Sequence, residues 1–304
     1  MNWSSKAGLI EIYPPKGFNF QECLLFLSRS SKEMLHRIKE GYLYKLLKVE
    51  ESLVLCKISW LEPIIQVEFP LSSVSKMEQE YVVSYIWEWF DLEYDIDQFY
   101  RGSSEDELLK ELVTNYRGLR IIGIPDLFEA LCWAIIGQQI TLSFAYTLKK
   151  RFVECYGEAL SFEEEDYWIF PSAHIIAKLD VEELKELQFS TRKAEYIIDI
   201  AKAISNGQLS KGELLAMNDY HLVKKHLVAQ RGIGPWTADY VMMKCLHFPN
   251  AFPIGDVGLH NAIKVQARLE RKPTLEELAA ISMNWKGFEA YATFYLWRSL
   301  YGPN

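Results

Sequence analysis

The first hundred residues alternate between short apolar runs and polar breaks. Four of these runs are rich in apolar and β-branched residues and have the length of strands. One longer segment, QECLLFLSRSSKEMLHRI, instead has its apolar residues at helical spacing. We therefore predict a small antiparallel sheet with a helix packed on it. The predicted strands are GLIEIYPP, YLYKLLKV, SLVLCKISW and PIIQVEFP.

Strand signals almost vanish after residue 77, and apolar residues then recur at helical spacing. The breaks between these runs carry Gly, Pro, Ser or Asp, which begin and end helices. The fold class is therefore predicted as α+β, with a small N-terminal α+β domain (1–104) and a large all-helical region (105–304). The predicted helices are EYVVSYIWEWF, EDELLKELVTNY, LFEALCWAII, FAYTLKKRFVECY, VEELKELQF, RKAEYIIDIAKAI, YHLVKKHLV, WTADYVMMKCL, VGLHNAIKVQA, TLEELAAI and FEAYATFYLWRSL.

The segment ALCWAIIGQQITLSFAYTL, residues 130–148, carries no charged residue and so raises the question of a membrane span. Its centre, however, holds Gly137 and several polar residues, at the depth where a bilayer tolerates them least. We interpret the segment as two buried helical pieces joined at Gly-Gln-Gln, with no membrane span. The N-terminus lacks both a long apolar core and a small-residue cleavage site, so we expect no signal peptide.

Composition narrows the classes of function. Hydrophobic residues make up 49% of the 304 residues, which is enough for a sizeable core. The 33 basic residues are outnumbered by 41 acidic ones, and a formal net charge of −8 argues against a generally basic, nucleic-acid-binding surface. The cysteines are odd in number and lack metal-ligand spacing, which predicts reduced thiols and no metal in a cytoplasmic protein. They are Cys23, Cys56, Cys132, Cys155 and Cys245.

The stretch RGIGPWTADY, residues 231–240, places two glycines and a proline between helical runs. Gly232 and Gly234 allow a tight turn and close backbone approach, and Pro235 suits the first turn of the next helix. Backbone N–H groups at such a helix start attract an anion, typically a phosphate. Five Lys or Arg against two Asp between residues 222 and 264 would add a mildly basic face. A helix connection that binds nothing is the alternative.

Asp256 stands just before another predicted helix, 22 residues after Gly234. The simpler interpretation is a helix N-cap, for which Asp is well suited. A carboxylate beside a phosphate-binding hairpin has a second use, because it can face a sugar carbon at which positive charge develops. Both interpretations stay open from the residues alone.

The hairpin and this Asp together resemble the helix-hairpin-helix DNA glycosylase superfamily, in which a Leu-Pro-Gly-Ile-Gly hairpin is followed some twenty residues later by an invariant Asp. DLFEALCWAIIGQQIT resembles the family's inserting-helix segment, and FEAYATFYLWRSLYG resembles its C-terminal helix. The N-terminal sheet with IEIYPP resembles the additional domain of 3-methyladenine DNA glycosylase II, the AlkA type. The likeness covers nearly the whole chain. Arg231 departs from the pattern, because the family usually has Pro there, and it adds a charge near the phosphate.

The position two residues after the second hairpin glycine separates branches of this family. Bifunctional members have a lysine there that attacks the sugar. This chain has Trp236, so the resemblance implies a monofunctional enzyme in which water is the nucleophile and no strand is nicked. The four-cysteine iron–sulfur loop of one branch is missing, since Cys245 is the last cysteine. The resemblance thus implies no cofactor, and a monovalent cation on main-chain carbonyls of the hairpin is the one ion it allows.

The resemblance also assigns roles to single residues. Trp236, Tyr240 and Trp297 match the family's aromatic pocket, where a cationic purine would gain about 0.5–2 kcal/mol of cation–π attraction. Any one of them, taken alone, would more often be a core residue. Gln139 matches the wedge that fills the gap left by a flipped base, although a capping or solvated glutamine is the alternative. The DNA-binding hairpin comprises Gly232, Ile233, Gly234, Pro235 and Thr237, with Thr237 and the backbone holding phosphate.

The function implied by the resemblance is excision of alkylated, cationic purines such as 3-methyladenine and 7-methylguanine, with an abasic site as product. The expected partner is double-stranded DNA containing such bases. We expect a monomer in the cytoplasm, on the nucleoid in a bacterium, with the active-site cleft between two helical subdomains of residues 105–304. Other interpretations are a glycosylase for oxidised or mispaired bases, a non-catalytic helix-hairpin-helix DNA-binding protein, and a helical interaction protein, which the net charge would suit.

Overall fold

The structure, a computed structural model, describes residues 1–6, 8–71 and 73–302. The N-terminal part contains the predicted antiparallel sheet, with six strands where the sequence predicted four. They are β1 (Trp3–Lys6), β2 (Leu9–Ile12), β3 (Arg37–Lys39), β4 (Tyr42–Val49), β5 (Ser52–Leu61) and β6 (Ile64–Glu68). Their order across the sheet is β1-β2-β6-β5-β4-β3. All four predicted strands lie in this sheet.

Alternation of side chains along the strands buries one face of the sheet. Ile10 and Ile12 of β2 pair with Val67 and Ile65 of β6, and all four side chains are fully buried. Ile58 of β5, opposite Val67, extends the same buried row to the next strand. Register is fixed by this row, because a slip of one residue would turn every apolar side chain to the other face.

The helix predicted over QECLLFLSRSSKEMLHRI is only partly confirmed. The helix α1 spans Phe20–Leu27 and ends at Ser28, whose hydroxyl donates to the carbonyl of Leu25. The chain then turns and enters β3. Clustered serines explain the early end, because their hydroxyls bond nearby backbone groups and favour turns over helix interiors. Ser30 shows this directly, since its hydroxyl accepts the N–H of Lys32.

The rest of the chain is mainly helical, and every helix predicted after residue 77 is present. The short helices α3, α7 and α10 were not predicted. The helices are α2 (Lys76–Trp89), α3 (Ile96–Ser103), α4 (Lys110–Asn115), α5 (Leu127–Gly137), α6 (Leu142–Tyr156), α7 (Ala173–Ile176), α8 (Val181–Glu186), α9 (Thr191–Ser205), α10 (Lys211–Ala216), α11 (Tyr220–Val228), α12 (Pro235–Lys244), α13 (Val257–Gln266), α14 (Leu275–Ser282) and α15 (Glu289–Arg298). The predicted α+β fold class is thereby confirmed.

The predicted all-helical region also contains a two-stranded hairpin, β7 (Glu158–Phe162) and β8 (Glu165–Ile169), which the sequence analysis missed. The hairpin depends on tertiary contacts. Its Tyr167 is 2% exposed and lies 5.5 Å, ring to ring, from Tyr44 of β4. Its acidic residues pair with basic residues of the sheet, as in the 2.9 Å contact between Arg37 and Glu165. The sequence between and within the two strands contains the acidic run EEED, which is typical of a solvated loop, so no strands were predicted there.

The uncharged segment 130–148 forms two helices, as predicted. It contributes the body of α5 and the first half of α6, and the chain turns between them. Ten of the eleven residues of α5 are buried inside the protein, which accounts for the apolar composition without a membrane. Across the described residues, no helix is both long and apolar enough to cross a bilayer.

A single hydrophobic cluster extends from the N-terminal sheet through α5 and α12 to α15. Helix α5 packs against both α9 and α12. Hydrogen bonds at the C-terminal end of α5 reach the start of α9 and the turn before α12, so the three ends lie close together. The core therefore brings together three turns that are far apart in sequence, and these turns border the candidate site.

Candidate active site

The turn between α11 and α12 is the tight hairpin that the two glycines predict, but only one of them needs to be glycine for conformation. Gly232 has φ +88°, and an added Cβ would overlap the ring of Tyr196 on α9. Gly234 has φ −87° and ψ 174°, which any residue adopts, and an added Cβ would meet nothing within 4 Å. Gly232 thus packs against the protein, whereas Gly234 faces open space.

The start of α12 leaves its backbone donors open. Among the described residues, no side chain caps this helix, and Pro235 occupies its first turn. The N–H groups of Trp236 and Thr237 belong to the first turn and have no intrahelical acceptor. Together with the helix dipole, they make the start of α12 locally positive, which suits an anion such as phosphate.

Two residues of the hairpin differ from their expected roles. Arg231 pairs with Glu195 and with Asp199 (3.0 Å), so its charge is compensated and directed towards α9. Thr237 is 1% exposed, and its hydroxyl accepts a hydrogen bond from Gln138 at 3.0 Å. The Thr237 hydroxyl is therefore turned inwards and cannot hold a phosphate.

Three of the five basic residues that would form the expected mildly basic face are paired or buried in the described structure. The ammonium of Lys224 is paired with Asp239 at 2.8 Å, and the charge of Arg231 is compensated on α9. Lys244 is 3% exposed, and burial lowers its pKa well below the usual range. Backbone donors, more than surface cations, are what this hairpin offers to an anion.

Asp256 is both a helix cap and the centre of a hydrogen-bond cluster, so the two interpretations of this residue are compatible. It precedes α13, and its Oδ1 accepts the backbone N–H of Leu259 at 2.7 Å. The same Oδ1 accepts the indole N–H of Trp297 at 2.7 Å, and Oδ2 accepts that of Trp236 at 3.2 Å. Three donors from three parts of the chain thus fix the orientation of this carboxylate.

The three predicted pocket aromatics stand side by side next to this carboxylate, and we call them the aromatic wall: Trp236, Tyr240 and Trp297. The ring centroid of Tyr240 lies 5.6 Å from that of Trp236 and 6.0 Å from that of Trp297. Tyr240 is buried, which raises its pKa, whereas both tryptophans are half-buried. The structure thus brings together four residues predicted from three separate segments.

Gly258 is a site residue that the sequence analysis missed. A Cβ at this position would lie 2.9 Å from Oδ1 of Asp256 and 3.4 Å from the indole of Trp297. Glycine is thus required so that the carboxylate and the indole can meet over the first turn of α13. The available signal was a glycine inside a helical run, which often marks a close approach.

The predicted wedge, Gln139, occupies the turn between α5 and α6. It is exposed and has φ +57°, a left-handed backbone conformation that non-glycine residues adopt infrequently. The preceding residue, Gln138, points the other way, and its Nε2 donates to the carbonyl of Gly232 and to Thr237 Oγ1, both at 3.0 Å. The sequence analysis singled out Gln139 alone and missed the internal role of Gln138.

Comparison with known proteins places this architecture in one family. Residues 132–287 match the sequence model of the HhH-GPD superfamily base excision DNA repair proteins. Residues 16–131 match that of the 8-oxoguanine DNA glycosylase N-terminal domain.

A DNA-3-methyladenine glycosylase of Bacillus subtilis is 43% identical over 99% of this chain and all of its own length. Among solved structures, a 3-methyladenine DNA glycosylase from Archaeoglobus fulgidus superimposes with a TM-score of 0.81 at 25% identity, over 94% of this chain and 97% of its own. An 8-oxoguanine glycosylase/lyase of Clostridium acetobutylicum in complex with dsDNA shares the fold, with a TM-score of 0.77 at 19% identity, over 98% of this chain and 97% of its own. The chain therefore belongs to the HhH-GPD superfamily of base excision DNA repair proteins and is a DNA glycosylase.

Proposed function

We propose that this glycosylase hydrolyses the N-glycosidic bond of alkylated, cationic purines in duplex DNA and leaves an abasic site. The observation that carries the proposal is the Asp256 carboxylate, held by two indole N–H groups at the edge of the aromatic wall. Electron-rich ring faces attract a positively charged base, and a nearby carboxylate stabilises the positive charge that its departure leaves on the sugar. The name of the Bacillus subtilis relative, a DNA-3-methyladenine glycosylase, supports the same class of substrate.

In this mechanism, the open start of α12 holds a phosphate of the lesion strand while the damaged nucleotide rotates out of the stack. The base then lies against the aromatic wall. The cationic base is already a good leaving group, so no metal or redox group is needed to activate it. Asp256 stabilises the oxocarbenium character of the sugar through space and orients the water that attacks it.

We further propose that strand cleavage does not follow base release. Trp236 occupies the position at which a bifunctional family member would have its lysine, and an indole cannot form a Schiff base. Lys244, on the same helix, is only 3% exposed. Its amine lies over the rings of Phe26 and Phe294 and therefore faces the core. Borohydride should therefore trap no covalent adduct between the protein and DNA.

A glycosylase for oxidised bases is the second candidate, favoured by the match of residues 16–131 to an 8-oxoguanine glycosylase domain. A pocket for a neutral oxidised base relies on hydrogen bonds to its carbonyl and N–H groups. The aromatic wall offers mainly ring faces, and both indole N–H groups are already bonded to Asp256. The geometry thus favours the alkylated purine.

The experiment compares duplexes that carry 7-methylguanine, 3-methyladenine, hypoxanthine or 8-oxoguanine at one position. Released base is measured by chromatography, and abasic sites are measured as strand breaks after heating in alkali. A no-protein reaction corrects for spontaneous depurination. We expect release of the methylated purines, with no strand breaks before alkali and no borohydride adduct. Release of 8-oxoguanine alone would contradict the assignment, and a borohydride adduct would contradict the monofunctional chemistry.

A further inference from the structure

Three turns meet on one side of α5. They are the wedge turn (residues 137–141), the hairpin (residues 231–235) and the start of α9. Lys193 of α9 donates to the carbonyl of Ile136, at the end of α5, at 2.7 Å. Gln138 then joins the wedge turn to the hairpin through its two bonds to Gly232 and Thr237. The wedge turn is therefore attached to the protein on both sides, by side chains that reach backbone carbonyls.

We infer that Gln138 is a positioning residue that sets the depth of the Gln139 wedge relative to the phosphate grip of the hairpin. This inference rests on the proposed function, in which the hairpin holds DNA and Gln139 fills the gap of the flipped nucleotide. Neighbouring residues of the turn have divided roles. Gln138 is directed inwards to the hairpin and Gln139 is directed outwards to solvent.

The chemistry of the Gln138 amide makes this connection specific. Its two N–H groups serve two acceptors, one on the hairpin backbone and one on the first turn of α12. A rotated amide would place its oxygen against the carbonyl oxygen of Gly232, which repels it, so one orientation is favoured. Gly232 cannot yield easily, because its α-carbon is packed against the ring of Tyr196. The position of the hairpin is thereby transmitted to the wedge turn.

A wedge acts only if it enters the stack when the phosphate is already held, and small misplacements of such groups can cost about 10²-fold in rate. A link between the hairpin and the wedge turn would place Gln139 at the correct depth once the hairpin has bound the phosphate. Its loss should leave the hairpin able to hold DNA while the wedge enters at the wrong depth. The effect should consequently appear in base flipping and release, with little effect on binding.

The test uses Gln138→Met, which keeps the length of the side chain and removes both donors without adding a charge beside the phosphate grip. Thr237→Val removes the second acceptor and leaves the bond to Gly232. Gln79→Ala is the matched control, because Gln79 also donates to a backbone carbonyl (Val74, 3.3 Å) but lies on α2, away from this junction. Each variant is first checked for its melting temperature.

Flipping is measured without any chemistry, as the fluorescence of 2-aminopurine placed beside a stable abasic-site analogue in duplex DNA. We expect Gln138→Met to keep duplex affinity within about twofold of wild type, to lose most of the fluorescence rise, and to release base about ten- to a hundredfold more slowly. Thr237→Val should lose less, and Gln79→Ala should behave as wild type. A Gln138→Ala, Gln139→Ala double variant should be no worse than Gln139→Ala alone, since Gln138 acts through Gln139.

Several outcomes would overturn the inference. One is a Gln138→Met variant with a normal fluorescence rise, which would show that the wedge enters correctly without the link. Another is a parallel loss of melting temperature, affinity and fluorescence, which would make Gln138 a general structural residue. Additive losses in the double variant would have the same meaning. Because fluorescence needs no base release, these outcomes are distinct from failure of the proposed substrate assignment, which would appear as absent release with normal flipping.

Discussion

The helices α12 and α13 begin on either side of the aromatic wall, and they complete their first turns in opposite ways. In the described structure, α12 follows Gly234 and has no side-chain cap, so its first backbone donors have no partner within the helix. The start of α13 is closed by Asp256, whose Oδ1 takes the Leu259 N–H. The indole of Trp236, on α12, connects the two starts through its bond to Asp256.

The difference shows how one structural element serves two electrostatic purposes. A helix start carries partial positive charge, which an open turn offers to a ligand and a capped turn uses to hold a carboxylate. In the proposed function, the open start takes the negative phosphate and the capped start presents negative charge to the sugar. Binding and chemistry should therefore be separable by substitutions on the two sides.

The largest effect is expected when the charge is removed from the capped start. Asp256→Asn retains one oxygen that can accept from both Leu259 and Trp297, and Asn caps helices about as well as Asp. The variant lacks the negative charge that opposes the developing oxocarbenium ion. We expect single-turnover base release to fall by about 10²-fold or more, while affinity for an abasic-site duplex stays close to wild type.

Asp219→Asn is the matched control for this change. Asp219 caps α11 in the same way, with its carboxylate accepting the N–H of Leu222 at 2.8 Å, but it has no aromatic neighbours of the wall. Both variants keep the oxygen that caps the helix, and only Asp256→Asn should lose base release. Near-normal release by Asp256→Asn would leave that residue as a helix cap alone.

The two helix starts also show which parts of the fold and of the site the sequence could predict. Helical periodicity predicted the bodies of α12 and α13, and resemblance to a family predicted Asp256 and the aromatic wall. Periodicity could not predict the β7–β8 hairpin, because those strands are stabilised by packing on the distant strand β4. It also overextended α1, where a cluster of serines ends the helix early.

Within the site, the residues missed by sequence reasoning act through the protein interior. Gln138 and Gly258 act through contacts with other site residues, so neither carries a chemical signature in a single sequence. Thr237 was assigned to phosphate by resemblance to the family, whereas in the structure it is 1% exposed and its hydroxyl bonds Gln138. Which way a polar side chain turns depends on partners that are remote in sequence, and only the fold reveals them.

The next largest effect concerns the two indoles that hold the carboxylate. Trp297→Ala and Trp236→Ala should each lose stacking on the base. We expect each to weaken transition-state binding, measured from kcat/KM for release of 7-methylguanine, by about 1–3 kcal/mol. Trp297 should be the more sensitive position, because its N–H lies 2.7 Å from Asp256 whereas that of Trp236 lies 3.2 Å away. The measurement is kcat and KM for each variant on the same duplex.

Phenylalanine at the same two positions separates stacking from hydrogen bonding. Trp297→Phe keeps an aromatic face but removes the donor to Asp256, so it should retain substrate affinity and lose rate. Full activity in both alanine variants, with normal stability, would show that the aromatic wall is not the base pocket.

A smaller effect is expected from crowding the capped start. In Gly258→Ala, the new methyl group would lie 2.9 Å from Oδ1 of Asp256, so the carboxylate or the Trp297 indole must shift by a few tenths of an ångström. We expect about a tenfold loss of base release with unchanged duplex affinity. Gly212→Ala on α10 is the control, since its methyl group would meet nothing within 4 Å. Equal activity of the two variants would mean that the carboxylate position tolerates this displacement.

The smallest effect is expected on the open side, where the two hairpin glycines can be distinguished. Gly232→Ala combines φ +88° with overlap on Tyr196 and should cost about 1–3 kcal/mol of folding stability.

Gly234→Val should fold normally, because its side chain meets only open space, but that space is where the phosphate would approach. We expect a loss of about 1 kcal/mol in duplex affinity, roughly fivefold, with a shallower salt dependence and an unchanged rate at saturation. A folded Gly234→Val variant that binds DNA as tightly as wild type would remove the open start of α12 from the phosphate grip.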